Sequence, residues 1–465
     1  MQVETLATED LGDRTYIAHD GRDAAVIDPQ RDLDRLEALL DERGLTVRGV
    51  FETHIHNDYV TGGYELARRT GAAYVLSAAD NVSFDRHGVH DGDELSIGTL
   101  AIRAVSTPGH TDTHMSYAAF DGAQPAGAQV VFTGGSLLYG SVGRTDLIDP
   151  ARTDELTRAQ YRSARRLARL LPDDTSIYPT HGFGSFCSAG PSTGGNASTI
   201  GIERSRNNAL LEDDEDAFVE RLVAGLTAYP AYYAQMAPLN RGGPLAADLS
   251  PAPMMSADDL RSRIANGEWV VDLRDRTAYA LDHLRGTVGI ELGGSFATYV
   301  GWLSPWGSPV TLIGSSREQV ADAQRQLVRI GIDRPAGAAI GPPEQLLAPH
   351  ETASYDVATF RDLASRLAAD GSAPADGGGA VVLDVRRPDE HAEASIPGSV
   401  NIPLYQLTAE LERPDALPKG QVWVHCLSGF RASIAASLLD RAGYDVVLID
   451  DHFDHAVSAN LARRD

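Results

Sequence analysis

Thr53-His54-Ile55-His56-Asn57-Asp58-Tyr59 follows a short apolar run, Val47 to Phe51, and precedes Val60-Thr61-Gly62-Gly63. Two imidazoles and a carboxylate therefore fall on a loop where a strand hands over to a helix. A strand sends alternate residues to one face but cannot close around an ion, so His, His and Asp at this spacing converge on one cation only from irregular backbone. Two more histidines close strand-like apolar runs in the same way. His110 stands in Ser106-Thr107-Pro108-Gly109-His110-Thr111, and His181 in Tyr178-Pro179-Thr180-His181-Gly182.

These separated motifs resemble the metallo-β-lactamase superfamily, whose metal sites lie at the edge of an αββα sandwich. Glu52 to Asp58, the Thr107 to Thr111 turn, Phe132-Thr133-Gly134 and Gly143-Arg144-Thr145-Asp146-Leu147 are most similar to its ETHE-type persulfide dioxygenase branch, over roughly residues 1 to 210. Two positions depart from the pattern. Tyr59 stands for the family's last loop histidine, and Gly135 for the aspartate that completes the dioxygenases' two-His-one-Asp iron set. The resemblance implies one divalent metal held chiefly by His54, His56 and His110, with Asp58 and His181 nearby. It favours Fe(II); the lost carboxylate makes Zn(II) the alternative.

The rest of the first domain, expected over 1–245, reads as mixed strand and helix. Apolar residues recur at helical spacing from Asp32 to Arg43, from Arg152 to Leu171 and from Asp216 to Ala234. Cys187 lies on a Gly/Ser-rich stretch just beyond His181, and Arg204 follows; both are candidates for substrate binding. Pro238 to Pro253, rich in Pro, Gly and Ala, reads as a linker.

Beyond it a pattern repeats. Val270-Val271-Asp272-Leu273-Arg274 and Val382-Leu383-Asp384-Val385-Arg386 are buried-strand patterns ending in Asp-x-Arg, each between a helical segment and a Gly-containing turn. Two copies of one small α/β domain are expected, at 254–342 and 355–465, with Gly371 to Gly379 a flexible loop inside the second. Val424-His425-Cys426-Leu427-Ser428-Gly429-Phe430-Arg431 in the second copy resembles the rhodanese active loop. A Cys at a strand end, facing a helix N-terminus and a ring of backbone N–H groups, is favoured as thiolate and can hold a sulfane sulfur, with Arg431 adding positive charge. Phosphatase cradles place one more residue between Cys and Arg, so the shorter loop favours sulfur. In the first copy Gly314 stands where the nucleophile would be, which leaves that copy to packing or docking.

Composition narrows the function classes. A formal charge of −25 argues against nucleic acid and anionic membrane surfaces as partners. The single lysine, Lys419, excludes a P-loop lysine. Two cysteines far apart make no disulfide framework. No signal peptide or membrane span is read, so the expected location is the cytoplasm; homo-oligomerisation is left open. The leading expectation is a fused sulfur-metabolism enzyme: a metal-dependent persulfide dioxygenase-like domain coupled to a rhodanese sulfurtransferase, acting on glutathione persulfide or another low-molecular-weight thiol persulfide. A glyoxalase II-like thioester hydrolase fused to rhodanese is the second reading. The third is a binding module in which Cys426 alone is chemically active.

Overall fold

A computed structural model describes residues 1–122, 129–190, 195–370, 379–413, 416–418 and 420–464. The chain divides into two units, 1–248 with 325–333, and 249–324 with 334–465. The expected Gly371 to Gly379 loop lies, except for its last residue, outside the described residues.

The first unit holds two six-stranded sheets. One runs β1 (Gln2–Thr8), β2 (Asp13–His19), β3 (Asp23–Ile27), β4 (Thr46–Phe51), β5 (Ala73–Ser77), β6 (His87–Val89) in sequence order. The other runs back from β12 (Ser198–Thr199) through β11 (Ser176–Pro179), β10 (Val130–Gly134), β9 (Met115–Asp121) and β8 (Leu100–Ser106) to β7 (Glu94–Ile97). Period-two alternation decides which face each residue serves. Tyr16, Ala18, Tyr117, Ala119 and Phe132 meet in one core between the sheets. Ile17 points the other way, into a layer with α1 (Leu33–Arg43) and α2 (Gly63–Thr70). Ala118 and Val131 likewise turn out onto α3 (Thr153–Leu170). This is the αββα sandwich.

The sequence differs from expectation near residue 230. Instead of one helix from Asp216, there are two, Glu215–Ala224 and Tyr233–Gly242, with Gly225 ending the first and Pro230 before the second. The second enters the stretch expected to be linker. It carries Pro238 inside it and delivers the buried Asn240 to the metal loop.

The second unit contains two parallel sheets of the same design. The strands are β13 (Trp269–Asp272), β14 (His283–Leu284), β15 (Val288–Gly289), β16 (Val310–Gly314), β17 (Gly337–Ile340), β18 (Thr352–Ala353), β19 (Asp356–Ala358), β20 (Val381–Asp384), β21 (Ala394–Ser395), β22 (Val400–Asn401), β23 (Val422–His425), β24 (Val446–Ile449) and β25 (Arg463–Arg464). One sheet is ordered β15-β13-β16-β17 and the other β22-β20-β23-β24, with β19 added at its edge. The two Asp-x-Arg turns fold alike. Arg274 closes on Asp272 and the Asp282 carbonyl; Arg386 closes on Asp384 and the Ala394 carbonyl. In the register, Asp272 pairs with Ile313 and Asp384 with His425, so Gly314 and Cys426 occupy equivalent positions.

Asp384 is fully buried, and although burial works against its charge, His425 and Arg386 hold its carboxyl down at about 2. Removing one partner of a buried pair strands the other. Asp384→Ala is therefore expected to cost about 3–5 kcal/mol, read by urea unfolding of the full chain. A loss under 1 kcal/mol would contradict the assignment.

Candidate metal centre

The loop after β4 is fastened from three sides. Asp28, at the end of β3, has φ +50, a left-handed conformation uncommon for a side-chain-bearing residue. Its carboxylate accepts from the Thr53 amide and the Thr53 hydroxyl, both at 2.7 Å, and from Thr180. Burial raises the cost of that charge, yet His56 and these donors hold the carboxyl below its usual range. Tyr117 donates to the Glu52 carbonyl at 2.9 Å. Asn240 accepts from Thr61 N–H and donates to the carbonyls of His56 and Tyr59.

The loop and its neighbours bring His54, His56, Asp58, His110 and His181 into one buried cluster. His54, His110 and His181 offer ligand atoms within 4.8 Å of one another, and so do His56, Asp58 and His181. The ring partners fix which nitrogens face inward. Thr53 donates its hydroxyl proton to Asp28 and so accepts from His54 Nδ1, at 2.9 Å. His110 Nδ1 donates to the Arg144 carbonyl at 2.7 Å, and His181 Nδ1 faces Asp13 at 2.9 Å and Asp58 at 3.2 Å. All three Nε2 atoms then point at one another, His54 and His181 at 3.3 Å. Two lone pairs at that distance repel unless a proton or a cation lies between them.

His56 is engaged differently. Its Nε2 meets Glu52 at 3.1 Å and Tyr59 at 2.9 Å; burial opposes its charge, but Asp28 and Glu52 push it up to about 9. His56 Nδ1, His110 Nε2 and Asp58 Oδ1 are buried without a hydrogen-bond partner. Unsatisfied buried polar atoms are costly; a cation at the His54, His110 and His181 triad would engage His110, and one at the His56, Asp58 and His181 triad would engage the other two. The residues present therefore fit a metal. Burial and the neighbouring His181 push His110 down to about 3, so it is a neutral ligand at ordinary pH. Burial also disfavours a charged His181, but Asp58 and Asp13 raise it well above the ordinary range; a bound metal displaces that proton.

Gly135 has a local reason. A Cβ there would overlap the His110 ring, and one at Gly143 would overlap the Gly135 carbonyl. The ring of His110 thus fills the place of a side chain at 135. Cys187 is fully buried, and burial together with Asp58, to which its thiol is bonded, pushes that thiol well above its usual range. Arg204 lies outside the cluster, on the helix Ile200–Arg206, paired with Asp173 at 2.7 Å. Sequence reasoning missed His114, which stacks on His54 with ring centroids 5.0 Å apart and accepts from Gly135 N–H. It also missed Asp13, Asp28, Glu52 and Asn240. His114 stands four residues after His110, and that spacing was the available signal.

In the second unit Cys426 directly follows β23 and is buried. The helix Phe430–Arg441 starts behind it, with Gly429 at φ +91. Arg431 is held bidentately by Glu390 at 2.6 and 2.7 Å, on the helix Pro388–Glu393.

Comparisons with known proteins match the regions that carry the two clusters. Residues 10–181 match the metallo-beta-lactamase superfamily and residues 367–458 the rhodanese-like domain. The chain is 30% identical over 208 residues to human persulfide dioxygenase ETHE1, spanning 44% of this chain and 72% of that protein. It is 32% identical over 181 residues to hydroxyacylglutathione hydrolase of Methylobacillus flagellatus, spanning 38% of this chain and 65% of that one. A metallo-beta-lactamase structure from Staphylococcus aureus superposes with TM-score 0.66 at 27% identity, covering 73% of this chain and 98% of its own.

The ring partners give the test of this arrangement. Thr53→Ala and Asp13→Asn are each expected to weaken binding of Zn(II) or Fe(II) by about 10–100-fold, measured by chelator competition, while Arg204→Ala leaves it unchanged. Gly135→Asp is expected to lose metal, because the new side chain displaces His110. Unchanged affinity in the first two variants would contradict the cluster.

Proposed function

Because the chain belongs to the metallo-β-lactamase superfamily and carries a rhodanese-like domain, we propose that it is a sulfur-metabolism enzyme. Its first unit oxidises a low-molecular-weight thiol persulfide with one Fe(II), and its last domain transfers sulfane sulfur through Cys426. The observation that carries the reading is the buried cluster of inward-facing imidazole nitrogens with the Asp58 oxygen beside them. Iron suits a set of imidazoles with a carboxylate, and Asp58 stands with His56 and His181 in the second triad. One ion is proposed because both triads share His181, whose second nitrogen is taken by Asp13 and Asp58.

When bound, the metal supplies a Lewis-acidic, redox-active centre for O2 and the persulfide. The chain's own residues keep that site dry and aim its ligands. Thr53, the Arg144 carbonyl and Asp13 orient three rings, and Asn240 and Asp28 fix the loop. In the last domain Gly429 permits the tight turn ahead of the helix, and Glu390 holds Arg431 beside the loop. The first parallel sheet of the second unit is read as a second rhodanese-type copy that lost its nucleophile. Its strand order and Asp-x-Arg turn support this.

A hydrolase of the hydroxyacylglutathione type is the second reading, favoured by the three imidazoles and the absent carboxylate at 135, a ligand pattern of zinc enzymes. The test loads the full chain anaerobically with Fe(II) or Zn(II), then follows O2 and sulfite with glutathione persulfide. Oxygen uptake in the iron form, abolished by His54→Ala, is expected; Cys426→Ser should abolish sulfur transfer from thiosulfate. Thioester cleavage by the zinc form with no oxygen uptake under either loading would hand the first unit to the hydrolase reading.

A further inference from the structure

The half of the second unit that lacks a nucleophile nevertheless reaches the Cys426 loop at two places. The first is Arg276, at the start of the helix Arg276–Leu281. Its Nε donates to Asp450 Oδ1 at 2.7 Å, and its guanidinium also pairs with Glu291. Asp450 Oδ1 lies against Gly429, where a Cβ would overlap it. The turn that ends Cys426-Leu427-Ser428-Gly429 is thus braced by an ion pair from the other half.

The second place is the helix Phe296–Leu303. Tyr299 meets Phe430 edge-on at 5.6 Å between ring centroids, and Trp302 stacks on Tyr405 at 5.2 Å with planes 8° apart. Tyr299 and Trp302 stack on each other at 5.9 Å. Phe430, Tyr299, Trp302 and Tyr405 therefore form a line of rings that starts beside the nucleophile's loop. All four are half-buried, and Leu427 next to Cys426 is exposed. The charges of Arg431, Glu390 and Arg387 and the Cys426 sulfur all act on the Tyr299 hydroxyl, which burial pushes up to about 12. The phenol is a neutral group standing among the side chains that ring the active loop.

These rings stay only half-buried next to a sulfur nucleophile, and an inorganic anion has no apolar body to use them. We propose that Tyr299 and Trp302, from the half without a nucleophile, form the binding wall for the organic thiol that exchanges sulfur with Cys426, and so determine its specificity for peptide-sized thiols over small anions. The inference rests on the sulfurtransfer reading of Cys426. In the step concerned, Cys426 carries the sulfane sulfur as Cys–S–SH. The acceptor thiolate attacks the outer sulfur, the S–S bond to Cys426 breaks, and its electron pair remains on Cys426 as thiolate. The outer sulfur keeps its proton and leaves as the acceptor's persulfide, so no oxidant or reductant is consumed.

The experiment compares two acceptors in the full chain with thiosulfate as donor: glutathione, which can lie along the wall, and cyanide, which cannot. One pocket contact of this kind is worth about tenfold or more in discrimination. Tyr299→Ala and Trp302→Ala are expected to raise KM for glutathione, and to lower the ratio of kcat/KM for glutathione to that for cyanide by at least about tenfold. Tyr299→Phe should restore most of that ratio, because the ring face and not the hydroxyl makes the contact. Tyr299→Leu keeps a large apolar side chain and serves as the second variant should the alanine variant unfold; the same fall in ratio is expected of it. Both rates falling together, or a ratio unmoved in soluble folded variants, would overturn the inference while leaving the sulfurtransfer reading intact. A parent chain that transfers sulfur to neither acceptor would overturn that reading, and the inference with it.

Discussion

The buried Asp28 carboxylate organises the first unit. It sits where β3 ends, in a strained left-handed conformation, and it takes the amide and hydroxyl of Thr53 and the hydroxyl of Thr180. Through Thr53 it fixes the loop that carries His54 and His56; through Thr180 it fixes the residue next to His181. A single charge, costly to bury unless it is hydrogen-bonded, thus ties together segments about 130 residues apart. Strain of this kind persists only where the surroundings over-determine it, and it concentrates at functional sites.

Around that point each imidazole has one nitrogen tied to an acceptor and the other turned inward. The cost of such an arrangement is a set of buried polar atoms without hydrogen-bond partners, His56 Nδ1, His110 Nε2 and Asp58 Oδ1. A cation at either triad would engage part of that set. The glycines at 135 and 143 belong to the same logic. They leave room for the His110 ring between them, so the loss of a carboxylate at 135 is matched by the position of the ring that remains.

Much of this was legible in the sequence because the chemistry is carried by contiguous motifs. The His54 to Asp58 loop, the turns ending at His110 and His181, and the Cys426 to Arg431 loop each follow a strand, and short apolar runs placed those strands. Groups that act across the fold were not legible. Asn240 stands in a Pro- and Gly-rich stretch that reads as linker, yet its amide closes three hydrogen bonds on the metal loop. Asp13 and His114 look like ordinary strand and turn residues until the sheets are assembled around them. The repeat was visible as Asp-x-Arg at two places, with Gly314 where the nucleophile would stand, and the strand register puts Gly314 and Cys426 at equivalent positions.

The central claim is that His54, His110 and His181 converge on one ion without a side chain at position 135. X-ray absorption at the metal edge of the reconstituted full chain tests it most directly. The account predicts about one metal per chain and a first shell dominated by imidazole, with metal–nitrogen distances near 2.0–2.1 Å for zinc and multiple scattering from about three rings. A shell without imidazole scattering, or a chain that retains no stoichiometric metal after loading, would contradict it.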